Sequence, residues 1–155
     1  MSAQLKKISS SVEVKADGNV FHEIGRDGLY RLPTICPRYV EGVVLHEGEW
    51  GKVGYVIIVT YNLDGRKIVM KNKVEAIDDA KRSSRYRAMD GELLAMYKTF
   101  AITYQVDTDG EGGKSLVTWT IEYEKINESI PDPNAMMELC INATRNFESY
   151  QLNMN

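Results

Sequence analysis

The sequence predicts an α+β domain in which a curved antiparallel sheet of seven strands wraps around one long C-terminal helix. Three observations predict it. From residue 39 to residue 125 the apolar pattern has a period of two, broken at short intervals by Gly- and Asp-rich turns, which is the pattern of an antiparallel meander. Residues 133–152 change to helical spacing, with Met136, Met137, Cys140, Ile141, Ala143, Thr144 and Phe147 recurring along it. Between the two, Pro131-Asp132-Pro133-Asn134 stops the strand pattern and starts the helix, with proline in a first-turn position.

Each element follows from its residues. Residues 5–14 alternate apolar and polar and read as the first strand. Asp17 is an N-cap for a short helix over 17–25 that carries Val20, Phe21 and Ile24, with Gly25 and Gly28 interrupting it. Residues 28–35 form a second short helix, stopped before Pro37. Two helices this short make no core layer and read as a V-shaped prop at one end of the sheet. Strands follow at Tyr39–His46, Tyr55–Tyr61, Lys67–Ala76, Arg82–Met89, Tyr97–Asp107 and Ser115–Lys125. The turns are 47–54 with three glycines, Asn62-Leu63-Asp64-Gly65, Asp78-Asp79, Asp90-Gly91 and Asp109–Gly113. Asp-Gly tolerates the positive φ of a tight hairpin. A sheet of this size must curl or find a partner layer. Some 20 residues of helix reach about 30 Å, enough to lie across it but not enough to fill its concavity. The architecture therefore predicts a hollow, and hollows of this kind bind ligands.

Composition narrows the function classes. With 155 residues, 43% hydrophobic and 26% charged, the chain reads as one globular domain over residues 1–155, without linker or repeat. A net charge of -3 argues against a nucleic-acid partner. The basic stretch Lys81-Arg82, Arg85, Arg87 reads as a solvated strand face, with phosphate binding as the alternative. Cys36 and Cys140 form no C-x-x-C pair, and no segment approaches the length of a bilayer span. Two thiols without an apolar leader point to a cytoplasmic location. Neither histidine has metal-ligand spacing, so no metal and no cofactor are expected. The glycine-rich turn lacks a G-K-[ST] ending and leads into a strand where a phosphate loop needs a helix.

Strand alternation assigns the inward wall. The inward sets are Ile57, Val59 and Tyr61; Ile68, Met70, Asn72 and Val74; Ser84, Tyr86 and Ala88; Phe100, Ile102 and Tyr104; and Trp119, Ile121 and Tyr123. The helix turns Met136, Cys140, Thr144 and Phe147 toward the sheet. The ligand-contacting candidates are Tyr61, Met70, Tyr86, Phe100, Ile102, Tyr104, Tyr123, Met136, Cys140 and Thr144. Ordinary core packing is the competing reading of each. The inward tyrosines weigh against it, because every buried hydroxyl needs a partner that a wet cavity or polar ligand would supply. His22, near the cavity end, is a candidate proton shuttle, and His46 reads as surface. Cys140 reads as packing, since a buried thiol resists ionisation.

Several stretches carry a resemblance: Leu32-Pro33-Thr34-Ile35-Cys36-Pro37, Leu45-His46-Glu47-Gly48-Glu49-Trp50-Gly51-Lys52-Val53-Gly54, Glu75-Ala76-Ile77-Asp78-Asp79, Asp90-Gly91-Glu92-Leu93-Leu94 and Trp119-Thr120-Ile121-Glu122-Tyr123-Glu124-Lys125. Across nearly its whole length the chain resembles the plant major latex protein-like proteins of the birch-pollen-allergen (pathogenesis-related class ten) superfamily. That resemblance implies a helix-grip fold, a cytosolic plant protein and a central cavity for a lipophilic compound such as a sterol, terpenoid or alkaloid. It places the glycine-rich turn beside a cavity mouth. Some relatives are condensing enzymes, cyclases or isomerases of specialised metabolism. The lysine of norcoclaurine synthases falls at Thr118 here, which puts their condensation mechanism in doubt.

Two functions therefore stand open. One is a binder or carrier of a hydrophobic small molecule in specialised metabolism or defence, acting as a monomer or weak dimer. The other is a cofactor-free cyclase or isomerase, with His22, Tyr86 and Tyr104 as catalytic candidates. A third reading, a stress protein acting through a protein partner, has no distinct interaction segment behind it.

Overall fold

The computed structural model describes residues 4–108 and 113–153. Its strands are β1 (Lys6–Val14), β2 (Val40–Glu47), β3 (Val56–Leu63), β4 (Arg66–Asp78), β5 (Ser83–Gly91), β6 (Tyr97–Thr108) and β7 (Ser115–Lys125). Two short helices, α1 (Gly18–Asp27) and α2 (Leu32–Ile35), follow β1, and α3 (Asn134–Asn153) ends the chain. The seven strands form one antiparallel sheet in the order β1-β7-β6-β5-β4-β3-β2.

The meander holds for β2 through β7 and fails for β1. The first strand pairs with the last, Ile8 opposite Ile121 and Val12 opposite Val117. The α1–α2 prop therefore carries the chain from one sheet edge to the other. Local pattern reveals strands but not which distant strand each one joins.

Capping and turn chemistry act as the residues dictate. The Asp17 side chain accepts from Asn19 N at 2.8 Å and starts α1. Gly25 does not interrupt this helix, which continues to Asp27 and caps at Gly28. Asp64 and Gly65 take φ of 51° and 78° and join β3 to β4 with Leu63 opposite Arg66, a two-residue hairpin turn. Asp90-Gly91 is not a free turn but the end of β5. A 3-10 turn, Glu92–Ala95, makes the connection to β6 and buries Leu93. The Asp109–Gly113 turn lies, except for Gly113, outside the described residues.

Bulges curve the sheet. The register slips twice in β2–β3, twice in β4–β5, and once in β6–β7 at Tyr97/Thr99. Each slip adds twist and bends its strand, so the sheet wraps α3. Two apolar clusters result. One gathers Val12, Ile24, Ile35, Val59, Val106 and Phe147 around the prop. The other gathers Ile68, Met70, Phe100, Ile121, Met136 and Leu139 around the start of α3.

The outer face carries the charges. Arg85 pairs with Glu75 and with Glu122 (2.7 Å), and Arg87 pairs with Glu75 at 2.8 Å. Beneath them Ala101, opposite Arg87 on one side and Glu122 on the other, is buried. Of the basic stretch, Arg85 and Arg87 are thus ion-paired on the outer strand face, and Arg82 Nε donates to Asn19 Oδ1. The Arg87 hydrogen bond, helped by Arg85, holds the Glu75 carboxyl below its ordinary value of 4.5. A carboxyl depressed in the folded state stabilises above its unfolded pKa, and that contribution is lost as pH falls through the folded one. Glu75→Gln should therefore cost about 1–2 kcal/mol at pH 7. The gap from wild type should narrow below the ordinary value, as read by urea unfolding across pH.

Candidate ligand cavity

Between the two apolar clusters lies a cavity of about 100 Å³. The sheet supplies Ile57, Val59, Tyr61, Asn72, Tyr86, Ile102, Tyr104 and Trp119. From α3 come Leu139, Cys140, Ala143, Thr144 and Phe147, and from the prop Phe21, Ile24 and Leu32. A smaller hollow of about 10 Å³ adjoins it, lined by Met70, Phe100 and Met136 and sharing Tyr61, Asn72, Tyr86 and Ile102 with the main cavity.

The sequence-derived candidates thus divide. Tyr61, Tyr86, Ile102, Tyr104, Cys140 and Thr144 meet on the main cavity, while Met70, Phe100 and Met136 sit at the smaller hollow. Tyr123 lines neither. Its ring packs edge-on against Tyr97, and its hydroxyl donates to Asp132 Oδ1 at 2.7 Å. Lys125 Nζ is 3.0 Å from the same carboxylate oxygen. Tyr123 therefore ties the sheet to the segment that starts α3. Trp119 keeps the strand phase and lines the cavity. Its Nε1–H donates to Thr144 Oγ1 at 2.9 Å, and Thr144 donates to the Cys140 carbonyl at 2.8 Å. Burial pushes the Cys140 thiol up to about 12, so it stays protonated and serves as packing.

The tyrosine hydroxyls find protein partners where a wet cavity or ligand was expected to supply them. Tyr86 donates to the Gly25 carbonyl at 2.7 Å. The Tyr104 hydroxyl lies 2.7 Å from His22 Nδ1 and 2.9 Å from Ser84 Oγ. Burial raises the pKa of both phenols. Tyr61 is the exception: it accepts from Asn72 Nδ2 at a long 3.3 Å, and its own hydrogen has no acceptor among the described residues.

His22 is buried, and its Nε2 lies 2.8 Å from Asp79 Oδ1. The hydrogen bond from His22 holds the Asp79 carboxyl below its ordinary value, with Arg26 adding to the effect. An ionised Asp79 accepts from Nε2–H, which leaves Nδ1 to accept from the Tyr104 hydroxyl. That tautomer is assigned from the network. A polar chain thus runs from the exposed Asp79 through His22 and Tyr104 to Ser84. The sequence places Asp79 in a turn, but its partner His22 lies 57 positions away and leaves no local trace.

Gly25 is required by this chain. A Cβ there would stand 2.2 Å from the Tyr104 hydroxyl oxygen, so only a glycine lets α1 rest on that ring. The glycine-rich turn places Gly48, Gly51 and Gly54 at positive φ and packs Trp50 between Tyr30, edge-on, and Tyr55, tilted, both with ring centroids at 5.4 Å.

A curved sheet gripping one long helix around an apolar cavity defines a helix-grip protein. The chain belongs to the Pathogenesis-related protein Bet v 1 family, matching it over residues 3–154. MLP-like protein 43 of Arabidopsis thaliana is 36% identical over 152 residues, covering 97% of this chain and 96% of that one. Ginseng major latex-like protein 151 from Panax ginseng superposes with a TM-score of 0.91 at 38% identity, over 94% of this chain and 97% of that one. Norcoclaurine synthase from Thalictrum flavum, solved with dopamine and hydroxybenzaldehyde, superposes at 0.74 with 19% identity, over 99% and 90% of the two chains. This last likeness concerns the fold alone. Thr118 pairs with Ser11 Oγ at 2.8 Å across the β1–β7 ladder, on the face opposite Trp119.

Gly25→Ala should destabilise the protein by about 2–3 kcal/mol. It should also shift the His22 ring resonances in proton–nitrogen NMR, since α1 must lift from Tyr104.

Proposed function

We propose that the chain binds a compact lipophilic small molecule in its cavity. One observation carries this reading: the apolar hollow between α3 and the sheet, left open although the residues around it are close-packed. For scale, an apolar cavity of about 150 Å³ accepts benzene. A cavity of about 100 Å³ is smaller than that, so every terpenoid or alkaloid guest must widen it, a monoterpenoid by far less than a sterol. Met70 and Met136 at the adjoining hollow are the adaptable part of that wall. The free, buried cysteines Cys36 and Cys140 suit a reducing cytoplasm. Among the described residues no helix is long and apolar enough to cross a membrane. The protein acts as a monomer or weak dimer, in specialised metabolism or defence.

Trp119 reports on occupancy. Titration followed by tryptophan fluorescence should give tighter binding for geraniol than for farnesol, and tighter for farnesol than for campesterol. Ala143→Phe, which fills the cavity from α3, should weaken geraniol binding at least about tenfold, or roughly 1.4 kcal/mol. Equal affinity in the filled variant would reject the cavity as the binding site.

A second reading, a cofactor-free cyclase or isomerase, is favoured by the Asp79–His22–Tyr104–Ser84 chain. It would connect solvent to the cavity wall, with Tyr104 as proton donor and an imidazolium His22, protonated at Nδ1 in place of the neutral tautomer above, resupplying it. Burial disfavours the Tyr104 phenolate, which suits an acid better than a base. Citronellal, whose aldehyde closes onto its alkene under acid, is a suitable probe. Wild type should raise the yield of cyclised alcohol above buffer or bias its diastereomers, and Tyr104→Phe and His22→Gln should lose that effect. An identical product profile in all three proteins would remove this reading and leave the binder.

A further inference from the structure

The wall of the cavity contains a side chain that packing alone does not explain. Along β4 the inward positions are Ile68, Met70, Asn72 and Val74, and all four are buried. Asn72 is only 6% exposed. A buried amide costs free energy unless its hydrogen-bonding capacity is used. Asn72 uses little of it: its one bond is the 3.3 Å donation to Tyr61, near the long limit for such a contact. Among the described residues nothing donates to its carbonyl oxygen, and nothing accepts from the Tyr61 hydroxyl. The other polar groups on the wall are committed. Tyr86 donates to Gly25, Tyr104 sits between His22 and Ser84, and Thr144 is held by Trp119 and Cys140. Unused capacity is therefore concentrated at one point: the Tyr61 hydroxyl hydrogen, the second Asn72 amide hydrogen and the Asn72 carbonyl oxygen lie side by side.

That point has a defined place. Tyr61 and Asn72 line both the main cavity and the hollow behind it, so they stand at the waist between the two. The ladder slips there as well: Lys71 lies opposite Asp90 and Asn72 opposite Ala88, leaving Met89 as an extra residue in β5. A bulge is a device that re-aims neighbouring side chains.

We infer that Tyr61 and Asn72 form the polar anchor of the cavity, which selects apolar guests bearing one hydroxyl or carbonyl oxygen over hydrocarbons of the same shape. The inference rests on the cavity reading above and adds the chemistry of the guest. A hydroxyl guest donates to the Asn72 carbonyl oxygen and accepts from Tyr61, whereas a carbonyl guest accepts from Tyr61 and from the second Asn72 amide hydrogen. The rest of the guest lies against Ile57, Val59 and Phe147.

The test uses two probes of nearly equal shape, p-cresol and p-xylene, with affinities read by NMR titration of the whole protein. Tyr61→Phe and Asn72→Leu should each weaken p-cresol binding about tenfold and leave p-xylene binding unchanged or tighter. Two substitutions are used so that a folding defect in one does not decide the outcome. If p-cresol and p-xylene respond alike in both variants, the anchor is overturned while the cavity stands. If wild type binds p-xylene and rejects p-cresol, the anchor is likewise overturned. If wild type binds neither, the cavity reading fails and the anchor with it.

Discussion

A helix is about 10 Å across, and a seven-stranded sheet curved around it encloses more space than one helix can fill. The rest of the molecule answers that mismatch. Bulges at the ladder slips bend the sheet. The α1–α2 prop closes one end, and Met136, Leu139 and Tyr123 pack the other. Two apolar clusters form where the surfaces can meet, and the cavity is the region between them where they cannot. The hollow is thus a geometric remainder of the fold, and its size depends on which side chains lean into it.

Polar groups inside such a remainder must be partnered or used. Here most are partnered by the protein itself. Backbone carbonyls of the prop and of α3 accept from Tyr86 and Thr144, and a histidine reaches from Tyr104 to a surface carboxylate. These bonds fix the relative positions of prop, sheet and helix, so the hydroxyls that looked available for a ligand mostly serve as ties. The exception at Tyr61 stands out because its neighbours are so fully committed.

Much of this was legible in the sequence, because a period of two is a strong signal and every inward set follows once one face is assigned. Trp119, Met70, Asn72 and the α3 face were read correctly from phase alone. The hairpin at Asp64-Gly65 followed from its φ requirement. What the sequence could not reveal is long-range pairing. The union of β1 with β7, the contact of Asp79 with His22, and the use of Tyr123 as a tie to Asp132 all depend on which distant segments meet. Gly25 shows the same limit from the other side. A glycine in a short helix reads as a break, whereas its role is to make room for a ring that lies 79 positions along the chain (104 − 25). The lining supplied by Leu29, Leu32 and Val40 escaped for a related reason, since short helices and a sheet edge carry too little periodicity to show which side faces in.

The pairing of the first strand with the last also bears on how the chain reaches this state. Ser9 and Thr120, joined across β1–β7 at 3.0 Å, are separated by 111 positions. Contacts of that sequence separation carry a high loop-closure cost and slow the search for the native topology. During synthesis β1 emerges before the other described strands and waits for its neighbour β7, which is made after β2 to β6. Lys7, Ser9, Ser11 and Glu13, exposed along one face of the strand, keep that waiting strand hydrophilic and so discourage it from pairing with another chain before β7 arrives.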